Sequence, residues 1–171
     1  CPVDDDITEE ISYEERKRQN PGNDDAYMID DGIEYATVAY DPDEDIIFAG
    51  WEDSDKYRVM AGRMAADGTI TWGSRNTAAG SGSVKCYSVC YNADRKCFVL
   101  AYKNGTGDTT PTFVQTATVN TGTLGIAFHN TAQIGNGSTY KEEDQTIVYD
   151  SVSKKCIVGV RANASPYKTQ A

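Results

Sequence analysis

An all-β chain made of tandem antiparallel units is what the sequence predicts, on three observations. The first is internal repetition. Val38-Ala39-Tyr40-Asp41 is followed by Ile47-Phe48-Ala49-Gly50-Trp51. Val89-Cys90-Tyr91-Asn92 is followed by Phe98-Val99-Leu100-Ala101-Tyr102, and Ile147-Val148-Tyr149-Asp150 by Cys156-Ile157-Val158-Gly159-Val160. The second is spacing. The three tyrosines stand 51 and 58 residues apart, and each is 11 residues before the last residue of its second run. A period of that size marks stacked supersecondary units. The third is turn chemistry between short apolar segments, which recurs at matching places in the copies.

The first unit continues with Arg58 to Arg63 and then Asp67-Gly68-Thr69-Ile70-Thr71-Trp72-Gly73. The second continues with Thr112 to Ala117 and then Thr121-Gly122-Thr123-Leu124-Gly125-Ile126-Ala127-Phe128. A full unit therefore reads as four short strands. Asp41-Pro42-Asp43 and Asn92-Ala93-Asp94 turn the first hairpin, because Asp, Asn and Pro favour such turns. Asp67-Gly68 and Thr121-Gly122 turn the last one, where the backbone needs positive φ. Gly80-Ser81-Gly82-Ser83 and Gly135-Asn136-Gly137-Ser138 close the two units. Four antiparallel strands in about 50 residues is the unit of a β-propeller blade. The expected architecture is a partial β-propeller or a stacked β repeat: repeat 1 over 35–84, repeat 2 over 85–143, and a partial repeat 3 over 144–171.

In the third copy only the first two segments are evident before Arg161-Ala162-Asn163-Ala164-Ser165-Pro166. About two and a half units cannot close a ring that takes four to eight. Either more units follow in a longer protein, or several copies combine.

Residues 1–34 form a distinct acidic arm. Residues 1–35 hold 12 acidic residues against Arg16, Lys17 and Arg18, which is about −9 of the net charge of −10. Asp6-Ile7-Thr8-Glu9 fits a capping box. Acidic residues come early and basic ones late, as a helix dipole favours. Asn20-Pro21-Gly22 is a stop signal. A short helix over 7–19 is expected, then an extended linker, with the arm either a solvated tail or a docking element. So acidic a chain is a poor partner for nucleic acid. No stretch is long and apolar enough for a transmembrane helix, so no membrane insertion is expected. Cys1 at the start suits a processed or renumbered chain, including a lipoprotein after signal cleavage.

The five cysteines lack zinc-type spacing. A hairpin turning at Ala93-Asp94 would set Cys90 opposite Cys97, with Cys86 on the same face. Free thiols filling a core are the expectation. Asn104, Asn136 and Asn163 begin Asn-x-Ser/Thr sequons that could carry glycans in a secretory setting. Asp41-x-Asp43-x-Asp45 alternates carboxylates as some calcium loops do, but the other copies lose the pattern and a solvated turn is expected. No catalytic, cofactor or metal residue is assigned. His129 is the sole histidine and falls on a strand surface, and no P-loop, nucleophile elbow or dinucleotide fingerprint occurs. The recurring aromatics are expected to pack between units. Trp51, Trp72, Tyr102 and Phe128 are also the residues that could stack on sugar rings.

The stretches Val38 to Trp51 and Gly68 to Gly73, Val89 to Tyr102 and Gly122 to Phe128, and Ile147 to Val160 resemble tandem propeller-type repeats of virion structural proteins of marine bacteriophages and related viruses. That resemblance covers about 130 residues and implies a non-enzymatic tail, fibre or appendage module. It would be found in a virion or outside the cell, with other copies of itself, other appendage proteins or surface glycans as partners. A carbohydrate-binding propeller and a propeller glycoside hydrolase are the alternatives.

Overall fold

The computed structural model describes residues 34–53, 56–78, 84–105, 111–134, 142–162 and 168–170. The helix expected over 7–19 and the acidic linker lie outside these residues. The described residues are all β, in three antiparallel sheets. The first sheet holds β1 (Glu34–Asp41), β2 (Ile46–Asp53), β3 (Lys56–Met64) and β4 (Ile70–Trp72) in order, with the short β5 (Asn76–Thr77) also pairing with β3. The second is a meander of β6 (Val84–Asn92), β7 (Cys97–Asn104), β8 (Thr112–Val119) and β9 (Ile126–Ile134). The third is β10 (Glu142–Asp150), β11 (Lys155–Ala162) and β12 (Lys168–Gln170). The last strand corrects the sequence expectation of two segments there. Its three residues pair with Val160 to Ala162 and carry no apolar side chain to announce them.

The repetition extends to the backbone. Asp41 pairs with Ile46, Asn92 with Cys97 and Asp150 with Lys155, so each first hairpin has a four-residue loop. In every copy the residue before the loop caps it. Asp41 Oδ1 accepts from the Asp43 N–H (2.9 Å), Asn92 Oδ1 from Arg95 (3.0 Å) and Asp150 Oδ1 from Val152 (3.0 Å). The last loop residue has positive φ in each: Asp45 (54°), Lys96 (50°) and Lys154 (58°). A register shift follows Glu34, Lys85 and Glu143, which are equivalent positions in the three units.

This loop is two residues longer than the turn expected at Ala93-Asp94. Cys90 therefore pairs with Val99, and Cys97 is its diagonal neighbour on the same face. Even-numbered slips preserve faces, so Cys90 and Cys97 share a face as expected, but they do not face each other.

The last hairpins differ from expectation too. Gly68 has positive φ (83°) in the first unit, as the Asp-Gly pair predicts. In the second unit the left-handed residue is Leu124 (57°), not Gly122. Asn120 sets this turn: its side-chain oxygen accepts from Gly122 and Thr123 (both 3.0 Å), and its carbonyl accepts from the Leu124 N–H (2.8 Å).

Candidate functional site

The second sheet lies between the other two, with β6 packed against both β1 and β10. Strand alternation gives every sheet two faces. The face carrying Val89, Tyr91, Phe98, Leu100 and Tyr102 meets Ile46, Phe48, Val59 and Ala61 of the first sheet. The opposite face, carrying Cys90, Cys97, Val99 and Ala101, meets Ile147, Tyr149, Cys156 and Val158 of the third. Position for position, Ile147, Tyr149, Cys156 and Val158 are the third-unit equivalents of Val89, Tyr91, Phe98 and Leu100. Each unit thus lays its forward face on the rear face of the next, and the two interfaces are versions of one contact.

At the first interface Phe48 stacks on Phe98, with ring centroids 4.7 Å apart. Tyr91 tilts against Phe98 at 5.1 Å. Burial raises the pKa of the Tyr91 hydroxyl, and the Asp41 carboxylate beside it raises it further. Leu124 reaches over from the second unit to Gly73, where an added Cβ would lie 2.7 Å from the Leu124 Cβ and 2.8 Å from its carbonyl oxygen. Its burial in this core accounts for a leucine in a backbone region that usually takes glycine.

The second interface is more polar. The Cys90 thiol donates to Cys156 Sγ, with the sulfurs 3.5 Å apart. The Asn92 side-chain amide donates to the same sulfur at 3.5 Å. Ser88 Oγ accepts from the Ile147 N–H (3.1 Å), and Gln145 Nε2 donates to Thr112 Oγ1 (3.2 Å). Lys154 pairs with Asp94 at 2.7 Å between the two loops.

The aromatic residues singled out for sugar stacking do not form one site. Trp51 and Tyr102 are buried, and Tyr102 stacks on Phe113 at 5.9 Å. Trp72 and Phe128 are half-buried, Phe128 packs against the core, and Trp72 lies across Gly62. Asn104 ends β7 half-buried. Asn136 and Asn163 lie outside the described residues. The acidic turn uses its carboxylates locally: Asp41 caps the loop, and Asp45 accepts from the Tyr40 hydroxyl at 2.5 Å. His129 is exposed on β9 with Nε2 2.8 Å from Thr118 Oγ1. Among the described residues no group of three or more His, Cys, Asp or Glu could hold a metal ion. No helix there is long and apolar enough to cross a membrane.

An incomplete row of units is expected to leave an open apolar face, and what sequence reasoning missed is which residues show there. The rear face of the first unit shows Val38 and Tyr40 to solvent, and the forward face of the third shows Val148 and Ile157. The signal was available. The second strand of every copy is apolar without alternation, which marks a sheet built to be covered on both sides. No protein-family model, curated protein or solved structure matches the chain.

Proposed function

We propose that this chain is a non-enzymatic structural module that builds larger assemblies by adding sheet to sheet, head to tail. One observation carries this reading. At a single repeat position, Val38 is 65 % exposed, whereas Val89 is 7 % and Ile147 6 % exposed under a neighbouring sheet. On the opposite faces Ile157 is 47 % exposed, whereas its equivalents Phe48 and Val99 are 0 % and 6 %. On the rear face of the first unit Val38 and Tyr40 are open while Ala49 and Trp51 are buried, so the end faces leave part of an interior-type interface exposed. Exposed apolar faces of this kind mark interaction surfaces.

The occupant that fits best is a second copy of the chain. Its first unit presents a rear face of the type that the third unit's forward face would meet, with Val148 and Ile47 at the repeat positions that Ala39 and Phe98 hold inside the row. Such a contact is heterologous and yields rings or filaments. A virion tail, fibre or surface appendage is the setting that the repeat resemblance suggests, and blades of a propeller completed between copies are one form of it. A lectin reading has Trp72 and Phe128 as its half-exposed aromatics.

The test is sedimentation velocity over a concentration series. Reversible growth beyond the monomer is expected, and Ile157→Asp should abolish it without changing the circular dichroism spectrum. A chain that stays monomeric throughout would overturn the reading.

A further inference from the structure

We propose that Cys90 and Cys156 form a redox-controlled disulfide that locks the second unit to the third, with a small-molecule disulfide such as oxidised glutathione as the oxidant. The two residues come from different sheets, so the bond would be a covalent staple across an interface that is otherwise non-covalent. Their sulfurs already touch at 3.5 Å. Cys90 is buried in the facing layer and Cys156 keeps part of its surface in solvent.

The surroundings hold both partners in place. The Asn92 amide donates to Cys156 Sγ at 3.5 Å, one loop away from the Lys154–Asp94 pair at 2.7 Å. On the other side of the thiols, Ser88 Oγ accepts from the Ile147 N–H at 3.1 Å. These cross-sheet bonds bracket the sulfur pair along β6 and limit sliding between the sheets. The equivalent pair at the first interface is Ala39 with Phe98, a small residue against a large one. Two thiols therefore replace an ordinary packing pair at one interface and not at the other.

Exchange proceeds in two steps. The partly exposed Cys156, as thiolate, attacks the small disulfide, so that a Cys156–glutathione bond forms and one glutathione thiol leaves. Cys90 then loses its proton and attacks Cys156 Sγ, and the second glutathione leaves. Two cysteines are oxidised and one glutathione disulfide is reduced to two thiols. Desolvation raises the pKa of the Cys90 thiol, which lowers its thiolate fraction and makes the second step the slow one.

The experiment uses the full chain carrying Cys1→Ser and Cys86→Ser, reduced and then equilibrated with oxidised glutathione. The three remaining cysteines fall on separate tryptic peptides, 86–95, 97–103 and 156–161. Expected is a mass lower by about 2 Da, a link between peptides 86–95 and 156–161, and Cys97 still free. Melting should shift upward by about 10 °C, reversed by dithiothreitol. A second chain with Cys97→Ser added should form the same link. A Cys90–Cys97 link, a link only between chains, a glutathione adduct that never resolves, or no link in a folded chain would each overturn the proposal.

Discussion

Phe48 and Phe98 stack at 4.7 Å with their planes 24° apart, one ring from each of the first two units and both closed off from solvent. The contact is the centre of the larger core, which also takes in Tyr57, Val59, Leu100 and Tyr102. Removing one ring leaves a cavity that the flanking strands cannot fill, because each is held by its own ladder. Phe48→Ala is expected to cost about 3–5 kcal/mol, and Phe48→Leu clearly less. Urea unfolding followed by tryptophan fluorescence measures both. A loss under 1 kcal/mol would show that the two sheets do not share this core.

Leu124 and Gly73 make a second, independent clamp on the same interface. Gly73 also donates its N–H to the Ala61 carbonyl at 2.8 Å, so its backbone cannot retreat. Gly73→Ala should therefore cost about 1–3 kcal/mol through overpacking. Leu124→Ala should cost about 2–4 kcal/mol through lost burial, but it keeps the Cβ and carbonyl oxygen that an alanine at 73 would meet, so the Gly73→Ala penalty should persist in the double variant. A double variant that recovers the Gly73→Ala loss would place the clash farther out on the leucine side chain.

How far the sequence could be read follows from what repeats and what does not. The three units, their hairpin order and the packing role of Tyr91 and Tyr102 were legible, because apolar runs and turn residues recur at fixed spacing. Register was not, since Asn92 caps a four-residue loop that looks like a shorter turn until its αL residue, Lys96, is located. The left-handed residue at Leu124 was hidden by two neighbouring glycines, and only the burial of its side chain explains the choice. The Cys90–Cys156 contact joins residues 66 apart and depends on how units stack, which no local pattern encodes. Trp51 and Tyr102 were expected to pack, with sugar stacking as the alternative, and both rings are buried.

Stability should fall at both ends of the pH scale, for separate reasons. At the acid end, the Ser153 hydroxyl and the N–H groups of Val152 and Ser153 hold the Asp150 carboxyl below its ordinary value of 3.8. The Thr69 backbone N–H does the same for Asp67. Groups lowered in the folded state stabilise it above their ordinary value, and that contribution disappears as pH falls through the lower folded value. The urea midpoint should therefore drop below pH about 4, and Asp150→Asn should shrink the drop. An unchanged acid limb in that variant would rule out the turn as its source.

At the alkaline end the sign reverses. Burial alone raises the Tyr57 hydroxyl far above its ordinary value of 10.0. The unfolded chain ionises this tyrosine near pH 10 while the folded chain keeps it neutral, so its contribution is intact below that pH and is lost as pH rises. Tyr57→Phe removes the ionisable group and keeps the ring that covers Gly50. Its urea midpoint should decline less steeply than the parent's above pH 10. Parallel declines would assign the alkaline loss to other buried hydroxyls, Tyr91 first.

Head-to-tail assembly makes a prediction that a two-fold dimer does not. Val38→Asp blocks the rear face of the first unit and leaves the forward face of the third intact. Ile157→Asp does the converse. In a heterologous contact each variant alone retains one good face but meets no matching one, so each should be monomeric. Mixed one to one, the free forward face of the first variant meets the free rear face of the second, and growth should stop at a dimer. Burying Val38-type and Ile157-type side chains is worth about 1.5–3 kcal/mol each, so either charge alone should weaken association at least tenfold. Sedimentation of the two variants, separately and mixed, reads this directly. Dimers formed by one variant on its own would instead point to a symmetric contact between like faces.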